Sequence, residues 1–340
     1  MSNLSCIFTF YINFKMKKYF LLLGIVVFVS CNIKNELQNV KLEGFVFGTT
    51  YHITFLNDSS NTYQKQIDSL FHLMNKSLST YIPTSDISKI NKGDSTIVLD
   101  AYLKEVIGKS KRIFAETNGY FDPTVGNLVN AWGFGPKKPI NNLDSLQVSA
   151  LMKFVGLDKV QLKKDKLLKA FPEIYLDFNS IAKGFGIDVI GRFLESKKIT
   201  NYLVEIGGEI RARGTNLKLN KWKVAIEKPN TDGTQSFHSA VQLDNESMAT
   251  SGNYRKFRVT KEGRKFVHTI NPTTGYATES NLLSASVIAK TDCADVDAYA
   301  TAFMAMGFEK VKSFLTKFPH IKTVLMYVDE KGDIQEFKNF

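Results

Sequence analysis

Residues 175–206 read YLDFNSIAKGFGIDVIGRFLESKKITNYLVEI, and this stretch decides the fold because it holds a strand, a helix and a second strand in sequence. Residues 175–178 are expected to form a short strand, residues 181–194 a helix and residues 202–206 another strand. Elsewhere strands and helices mix without the regular strand–helix–strand rhythm of a parallel sheet. We therefore expect an α+β fold with mixed or antiparallel sheets and packed helices.

The turn before the predicted helix has the residue types of an anion site. Asn179 or Ser180 can cap the helix, and the free backbone N–H groups of a helix start attract anions with the help of the helix dipole. Lys183 lies in the first turn, where its charge opposes the dipole unless a phosphate is its neighbour. This pattern favours a phosphate site; the alternative is an ordinary capped helix.

Outward from this segment, periodicity predicts the remaining elements. Helices are expected from about residue 63, where an apolar face begins, and over residues 100–116, 294–306 and 308–318. Asn118 and Gly119 form a left-handed cap signal after the second of these. Strands are expected over residues 44–55, 222–226, 240–243, 254–259, 265–270 and 283–289, with hairpins over 160–169 and 321–337.

The N-terminus indicates export. Lys17 and Lys18 precede an apolar run of residues 19–29, which is closed by Ser30 and Cys31. The run is too short to span a bilayer permanently, so residues 1–30 are predicted to be a signal peptide. A cysteine directly after the small residue resembles a bacterial lipoprotein signal, in which Cys31 would be acylated; the alternative is a plain secretory signal. Residues 31–42 are then a tether and 43–340 one domain, and translation starts at Met1 or Met16.

Charge and cysteine use narrow the partners. The chain of 340 residues carries a net charge of +11, of which three lysines lie before the cleavage point, leaving about +8. Such a surplus suits an anionic ligand or membrane face. The sequence has neither a dense Lys/Arg stripe nor a recognised nucleic-acid motif, which argues against nucleic acid as the partner. Once Cys6 leaves with the signal and Cys31 is acylated, Cys293 has no partner and is expected to be a packed small residue.

Three further clusters are rich in turn-forming residues. In residues 117–126, Asp122 can cap a turn or hold a ligand, and Phe121 with Trp132 and Phe134 offers flat surfaces for a planar ring or fills the core. Residues 205–209, Glu-Ile-Gly-Gly-Glu, form either a tight turn or a close approach to a ligand. Residues 249–255 and 268–275 are also turn-rich, and His268 between them is a structural histidine or a site residue.

Asp297 and Thr301 lie four residues apart in a predicted helix and therefore share a face. Asp and a hydroxyl are few protein ligands for a metal. Mg2+ accepts this because water and substrate phosphates complete its octahedron. The alternative is a solvated helix face.

Together and in this order, seven stretches resemble the signature of the ApbE family, the FAD:protein FMN transferases. The resemblance covers about residues 44–315, nearly the whole mature chain. The stretches are Ser79-Thr-Tyr81, Gly119-Tyr-Phe-Asp-Pro-Thr124, Asp177 to Gly184, Glu205-Ile-Gly-Gly208, Thr250-Ser-Gly252, His268 to Gly275, and Asp297-Ala-Tyr-Ala-Thr301.

The resemblance implies a role for each matching residue. The residues that would contact FAD are Tyr81, Tyr120, Phe121, Asp122, Asp177, Lys183 near the pyrophosphate, and Ile270. Mg2+ would be held by the backbone carbonyl of Ser180 and the side chains of Asp297 and Thr301. Phe47 stands where relatives usually have Met, which keeps an apolar pocket wall of altered shape.

The implied reaction transfers the FMN half of FAD to a Thr or Ser hydroxyl of an acceptor protein and releases AMP, with Mg2+ as the cofactor. The catalytic residues would be Lys183, which neutralises phosphate charge, and, as our own hypothesis, His268 as a proton acceptor or phosphate contact. The acceptor would be a subunit of a membrane redox complex, and the enzyme a lipoprotein on the periplasmic side of the envelope. Two alternatives are a Mg2+-dependent FAD pyrophosphatase and a lipoprotein that only binds FAD.

Overall fold

A computed structural model describes residues 36–140, 142–228, 236–252, 257–259, 265–277 and 280–340, so the predicted signal peptide and Cys31 lie outside it. The strands are β1 Gln38–Val46, β2 Thr49–Asn57, β3 Val160–Lys163, β4 Lys166–Lys169, β5 Tyr202–Ile206, β6 Glu209–Arg213, β7 Trp222–Glu227, β8 Phe237–Leu243, β9 Ser247–Gly252, β10 Phe257–Val259, β11 Lys265–Val267, β12 Leu282–Ala289, β13 Lys322–Val328 and β14 Ile334–Lys338. The helices are α1 Gln64–Leu78, α2 Asp86–Asn91, α3 Ala101–Glu116, α4 Gly126–Ala131, α5 Ser145–Met152, α6 Ala182–Ser196, α7 Cys293–Met306 and α8 Phe308–Lys317.

The largest sheet joins distant parts of the chain. Among the described residues it has eight strands in the order β1-β2-β5-β6-β9-β12-β13-β14, and every neighbouring pair is antiparallel. In its register, Tyr51 of β2 pairs with Ile206 of β5, and Ala249 of β9 pairs with Val287 of β12. The α+β prediction is therefore confirmed.

Helix α7 is the centre of the core. It is apolar on nearly all sides, as expected of a helix that is buried all round. Thr301 is partly exposed, whereas the other residues of this helix are buried. Alanines at 294, 298, 300, 302 and 305 keep the helix narrow. The helix can therefore lie close to β9 and β12 on one side and to α6 on the other.

Several sequence predictions were wrong. Residues 44–55 form two strands, because Phe47 and Gly48 take positive φ angles of 51° and 77° and reverse the chain. The predicted tether is too long, since residues from 38 onwards already pair in β1. Residues 175–178 make only a single bridge, between Tyr175 and Val125, because neighbouring polar groups bind to loops instead. Residues 247–252 form strand β9, whereas residues 249–255 are predicted to be turn-rich.

Other local predictions were confirmed. Asn118 and Gly119 follow α3 with positive φ angles of 49° and 81°, as predicted, and α3 begins after Asp100, whose side chain accepts from the N–H of Leu103. Cys293 is fully buried, and its thiol donates to the carbonyl of Ile210 at 3.3 Å. Within the described part of the chain, the helices are all too short or too polar to cross a membrane.

Candidate active site

The start of α6 meets the side of α7, as the sequence reasoning required. The backbone N–H of Gly184 donates to Asp297 Oδ2 at 3.1 Å. A Cβ at position 184 would lie 2.4 Å from the carbonyl oxygen of Cys293, so only glycine permits this approach. Neither Asn179 nor Ser180 caps the helix as predicted: the N-cap position is Ile181, without a side-chain hydrogen bond.

Lys183 and two buried carboxylates lie together at this junction. Lys183 Nζ is 2.5 Å from Glu209 Oε1, and both Glu209 and Asp297 are only 3% exposed. Glu209 reaches Lys183 because the β5–β6 turn is very tight: Gly207 and Gly208 take φ angles of 64° and 101°. A Cβ on Gly207 would lie 3.4 Å from Lys183 Cδ, so the turn packs directly on the lysine stem.

The pKa values of this group report strong mutual interaction. Burial raises the pKa of Glu209, Lys183 opposes the rise, and the charge of Asp297 adds to it. Burial likewise raises the pKa of Asp297, against the effects of Lys183 and the Gly184 N–H. Burial alone would lower the pKa of Lys183, but the two carboxylates raise it above its usual value. Lys183 is therefore an ammonium at neutral pH and faces both carboxylates of this site.

The remaining predicted metal ligands lie around the same junction. Thr301 is one turn further along α7 than Asp297, and its hydroxyl lies 3.4 Å from Ser251 Oγ on β9. Ser180 lies in the turn immediately before α6, two residues ahead of the helix. Three separate segments, β9, α7 and the turn before α6, thus supply the polar groups.

This donor set fits Mg2+ better than a metal that needs a full protein cage. In the described ranges, three or more His, Cys, Asp or Glu residues nowhere converge on a metal position. A carboxylate and a hydroxyl suit Mg2+, which keeps several waters and takes its other oxygens from phosphates. Glu209 Oε2 is buried without a hydrogen-bond partner among the described residues, which indicates that a donor or cation completes the site.

An ionic network holds α6 and α7 in place. Asp188 of α6 is fully buried and accepts from the N–H groups of Cys293 and Ala294 at 2.8 Å each, so it caps the start of α7. Arg211 of β6 pairs with Asp188 and with Asp292 at 2.7 Å. Burial raises the pKa of Asp188 to about 6, with Asp292 adding and Arg211 opposing. Sheet and helices are thereby fixed to each other beside the site.

Tyr81 and Asp177 form a second polar group near the start of α6. Tyr81 is 55% exposed, and its pKa is raised by partial burial and by the charge of Asp177. The backbone N–H of Asp177 donates to the carbonyl of Pro123 at 2.8 Å. Its Oδ1 accepts from the N–H of Asn179 at 2.9 Å. The Tyr81 ring is the predicted contact with the most accessible surface.

Two predicted contacts are occupied by the protein itself. Phe121 is 1% exposed and belongs to the main core, which agrees with the alternative that its ring fills the core and not with a ring that stacks on a ligand. Asp122 is 6% exposed, and its Oδ1 accepts from the N–H and the hydroxyl of Thr124 at 2.8 and 2.6 Å. Their roles here are to fill the core and fix a turn.

The other predicted residues lie in different parts of the described structure. Phe47 packs edge-on against Phe71, 5.8 Å between ring centroids, and also faces Gly186 of α6. Tyr120 lies 5.8 Å from the ammonium of Lys310 on α8. Ile270 is buried in a smaller apolar cluster with Leu128, Val148 and Val155.

His268 follows β11 directly. Its ring lies edge-on to Phe134 at 6.4 Å between centroids. The neighbouring Trp132 donates to the carbonyl of Gly275 at 2.9 Å. The 268–275 stretch therefore packs on the 130–135 stretch, so two separate clusters of the sequence are neighbours in the structure.

Sequence reasoning missed Glu209, Ser251, Asp188 and Arg211. Glu209 and Arg211 alternate in β6 and so share one face of the strand. The signal for Glu209 was a pair of charged residues on one face of a strand, a face that is buried in the structure. In residues 205–209, the prediction of a tight turn or a close approach to a ligand rests on the two glycines alone. Ser251 was not identified because residues 249–255 are rich in turn-forming residues, which predict no strand there.

Comparison with known proteins gives one consistent result. The sequence matches the ApbE family over residues 47–325. It is 37% identical over 290 residues to the FAD:protein FMN transferase of Haemophilus influenzae, covering 82% of this chain and 83% of that protein. It is 35% identical over 296 residues to the protein of that name from Vibrio cholerae, covering 85% and 87%.

Solved structures agree. The flavin transferase ApbE from Vibrio cholerae superposes with a TM-score of 0.80 at 33% identity, covering 89% of this chain and 97% of that one. The apo form of the flavinyl transferase ApbE from Pseudomonas stutzeri gives 0.78 at 27% identity, covering 89% and 95%.

Proposed function

This chain belongs to the ApbE family, and we propose that it transfers the FMN part of FAD to a Thr or Ser hydroxyl of an acceptor protein, releasing AMP, with Mg2+ as its cofactor. It is a flavin transferase by its family and relatives. The observation that carries the proposed mechanism is the meeting of Lys183, Glu209 and Asp297 at the contact of α6 with α7.

The residues of this junction bind and neutralise the pyrophosphate of FAD. The ammonium of Lys183 attracts the anionic bridge, whereas the N–H groups of Ala182 and Gly184 at the start of α6 already donate to Phe178 and Asp297. As the acceptor oxygen bonds to the phosphorus on the FMN side, the bridging P–O bond breaks and its electrons leave with AMP. Lys183 stabilises the charge that grows on the AMP phosphate. Positioning is the main contribution, because phosphoryl transfer needs little covalent help from the enzyme.

Asp297, Thr301 and the carbonyl of Ser180 would hold the metal. Mg2+ bound there supplies positive charge to the phosphate oxygens. The proton of the acceptor hydroxyl goes to His268 in this proposal, since a neutral imidazole nitrogen can accept a proton. If His268→Ala kept the full transfer rate, this role would be excluded.

The experiment that tests the proposal is a mass measurement. Purified protein, FAD, Mg2+ and an acceptor domain are mixed, and the acceptor is expected to gain one FMN on a Thr or Ser while AMP appears. Free FMN with an unmodified acceptor would instead support the pyrophosphatase alternative. FAD binding without any AMP would support the non-catalytic one.

The proposed location is the periplasmic face of the cell envelope, with a lipid on Cys31. The support is the basic, apolar and small-residue order of the N-terminus. The proposed acceptor is a flavin-carrying subunit of a membrane redox complex, which an anchored enzyme would meet at the same surface. Nucleic acid is not a proposed partner.

A further inference from the structure

One carboxylate oxygen of Glu209, Oε2, has no hydrogen-bond partner among the described residues. Its Oε1 binds Lys183 at 2.5 Å, whereas its Oε2 is buried without a hydrogen-bond partner in the described part of the chain. The side chain is 3% exposed, so bulk water does not serve as a substitute. A buried carboxylate oxygen without a donor is costly, and it indicates a group that binds with the ligand.

The local charge points to a cation as that group. Glu209 and Asp297 are two buried carboxylates whose charges repel each other, and the ammonium of Lys183 attracts both of them. When both carboxylates are ionised, their two negative charges face one ammonium, which leaves one negative charge without compensation in a buried site. A divalent ion would neutralise it and reverse the sign, which then suits an anionic pyrophosphate.

The ammonium of Lys183 on Oε1 argues against a metal bound directly to Oε2 of the same carboxylate. Two cations on one carboxylate would repel each other at short range. A water between them separates the charges and donates the hydrogen bond that Oε2 lacks. Mg2+ sites in proteins usually keep several such waters.

We propose that Glu209 is a positioning residue of the metal site, which holds Lys183 through Oε1 and accepts a hydrogen bond from a metal-bound water through Oε2. The inference rests on the proposed function, because it takes the metal at Asp297 and Thr301 as given. It adds to the site a residue on β6, so the turn of Gly207 and Gly208 acts on the metal as well as on Lys183.

The test is a titration of the full-length protein with Mn2+, which replaces Mg2+ as the probe. Electron paramagnetic resonance measures the concentration of free Mn2+. Glu209→Gln keeps the size but turns an N–H2 group towards either the ammonium or the metal-bound water. We expect it to weaken Mn2+ binding about tenfold, as is usual for partners of bound ligands. Each titration is run without FAD and then with FAD, and the comparison uses the condition in which the wild-type protein binds.

Glu246→Gln is the matched control. Glu246 is also a buried carboxylate, 2% exposed, and it also binds a lysine, Lys322, at 2.6 Å. Its second oxygen accepts from the N–H of Asp244 at 3.2 Å, so both oxygens are satisfied. This variant is expected to lose stability but to bind Mn2+ within about twofold of the wild-type protein.

Lys183→Met supplies an independent result in case Glu209→Gln does not fold. Removal of the ammonium leaves two uncompensated carboxylates, so Mn2+ binding without FAD should tighten, on the order of tenfold. Unchanged Mn2+ affinity in both Glu209→Gln and Lys183→Met would overturn the role of Glu209 and leave the transferase proposal intact. A wild-type protein that binds no Mn2+ in either condition would instead contradict the proposed metal dependence itself.

Discussion

At the scale of single residues, the candidate site combines two buried carboxylates, Glu209 and Asp297, with the ammonium of Lys183. Asp297 accepts a hydrogen bond from Gly184 and feels Lys183, so its carboxylate is fixed in direction before any ligand arrives. Fixed charges of this kind need no reorganisation during the reaction, which is how enzymes stabilise developing charge.

Asp297→Ala tests whether this carboxylate serves the chemistry or only the fold. We expect the transfer rate at saturating Mg2+ to fall on the order of 100-fold, because the metal would lose its charged ligand. FAD binding measured without metal should persist. The matched variant is Asp295→Asn, on the same helix, whose carboxylate binds Lys109 at 3.1 Å and Arg112 at 2.7 Å. It should lower stability while the Mg2+ concentration for half-maximal rate stays constant; the reverse pattern would contradict the assignment.

Asp122 makes a prediction about pH. Burial raises its pKa from 3.8 to about 6, despite the hydrogen bonds from Thr124. The folded protein therefore keeps a proton on this carboxyl between those pH values, where the unfolded chain has lost it. The resulting stabilisation is full below pH 3.8 and is lost as the pH rises through about 6.

The expected size follows from the shift of roughly two pKa units, which corresponds to about 3 kcal/mol of unfolding free energy. Asp122→Asn does not titrate, so its unfolding free energy should fall less between pH 4 and pH 7 than that of the wild-type protein. Urea unfolding of both proteins across this range measures the difference. Parallel curves would show that Asp122 is ionised equally in both states.

At the scale of elements, the sequence predicted what local periodicity controls. The Tyr202–Ile206 strand has its predicted bounds, because its buried and less buried residues alternate regularly. Helix α3 begins one residue after its predicted start, because Asp100 is the residue that caps it. β9 was missed because Ser, Thr and Gly at 250–252 are turn formers in isolation. Strand β9 lies in the middle of the sheet and is covered by α7. Small side chains fit this tertiary environment, which outweighs their low strand propensity.

Gly184→Ala tests the contact between α6 and α7. The added methyl would lie 2.4 Å from the Cys293 carbonyl oxygen and 2.7 Å from the Ala294 nitrogen, so the helices must separate. We expect a lower midpoint of thermal unfolding and a weaker response to Mg2+, because Asp297 moves away from the start of α6. Differential scanning calorimetry and rates at varied Mg2+ give the two readouts.

Gly108→Ala is the control for this change. Gly108 is a helical glycine of α3 with nothing within 4 Å of its added Cβ. Alanine there should stabilise the protein by about 0.5–1 kcal/mol, since it costs less backbone entropy in a helix. If both variants behaved alike, the close approach of α6 and α7 would not limit the site.

At the scale of the whole molecule, the site depends on pairings that local sequence patterns do not specify. The sheet brings β6, β9 and β12 together although long segments separate them in sequence. The family resemblance grouped the motifs into one site. The structure adds that Glu209 binds Lys183 and that Ser251 lies beside Thr301. Long-range pairing therefore decides which polar residues become neighbours at the candidate site.

The start of β1 at Gln38 shortens the tether and gives the last prediction. Seven residue steps separate Cys31 from Gln38, a span of at most about 25 Å even when fully extended. A lipid on Cys31 would therefore keep the enzyme close to the membrane and limit it to acceptors at that surface. Cys31→Ser should move the protein from the membrane fraction to the soluble fraction and reduce flavinylation of a membrane-bound acceptor in cells. With a soluble acceptor domain in solution, the same variant should keep the wild-type rate, because Cys31 precedes the first strand of the domain. Continued membrane association of Cys31→Ser would mean that another part of the chain holds it there.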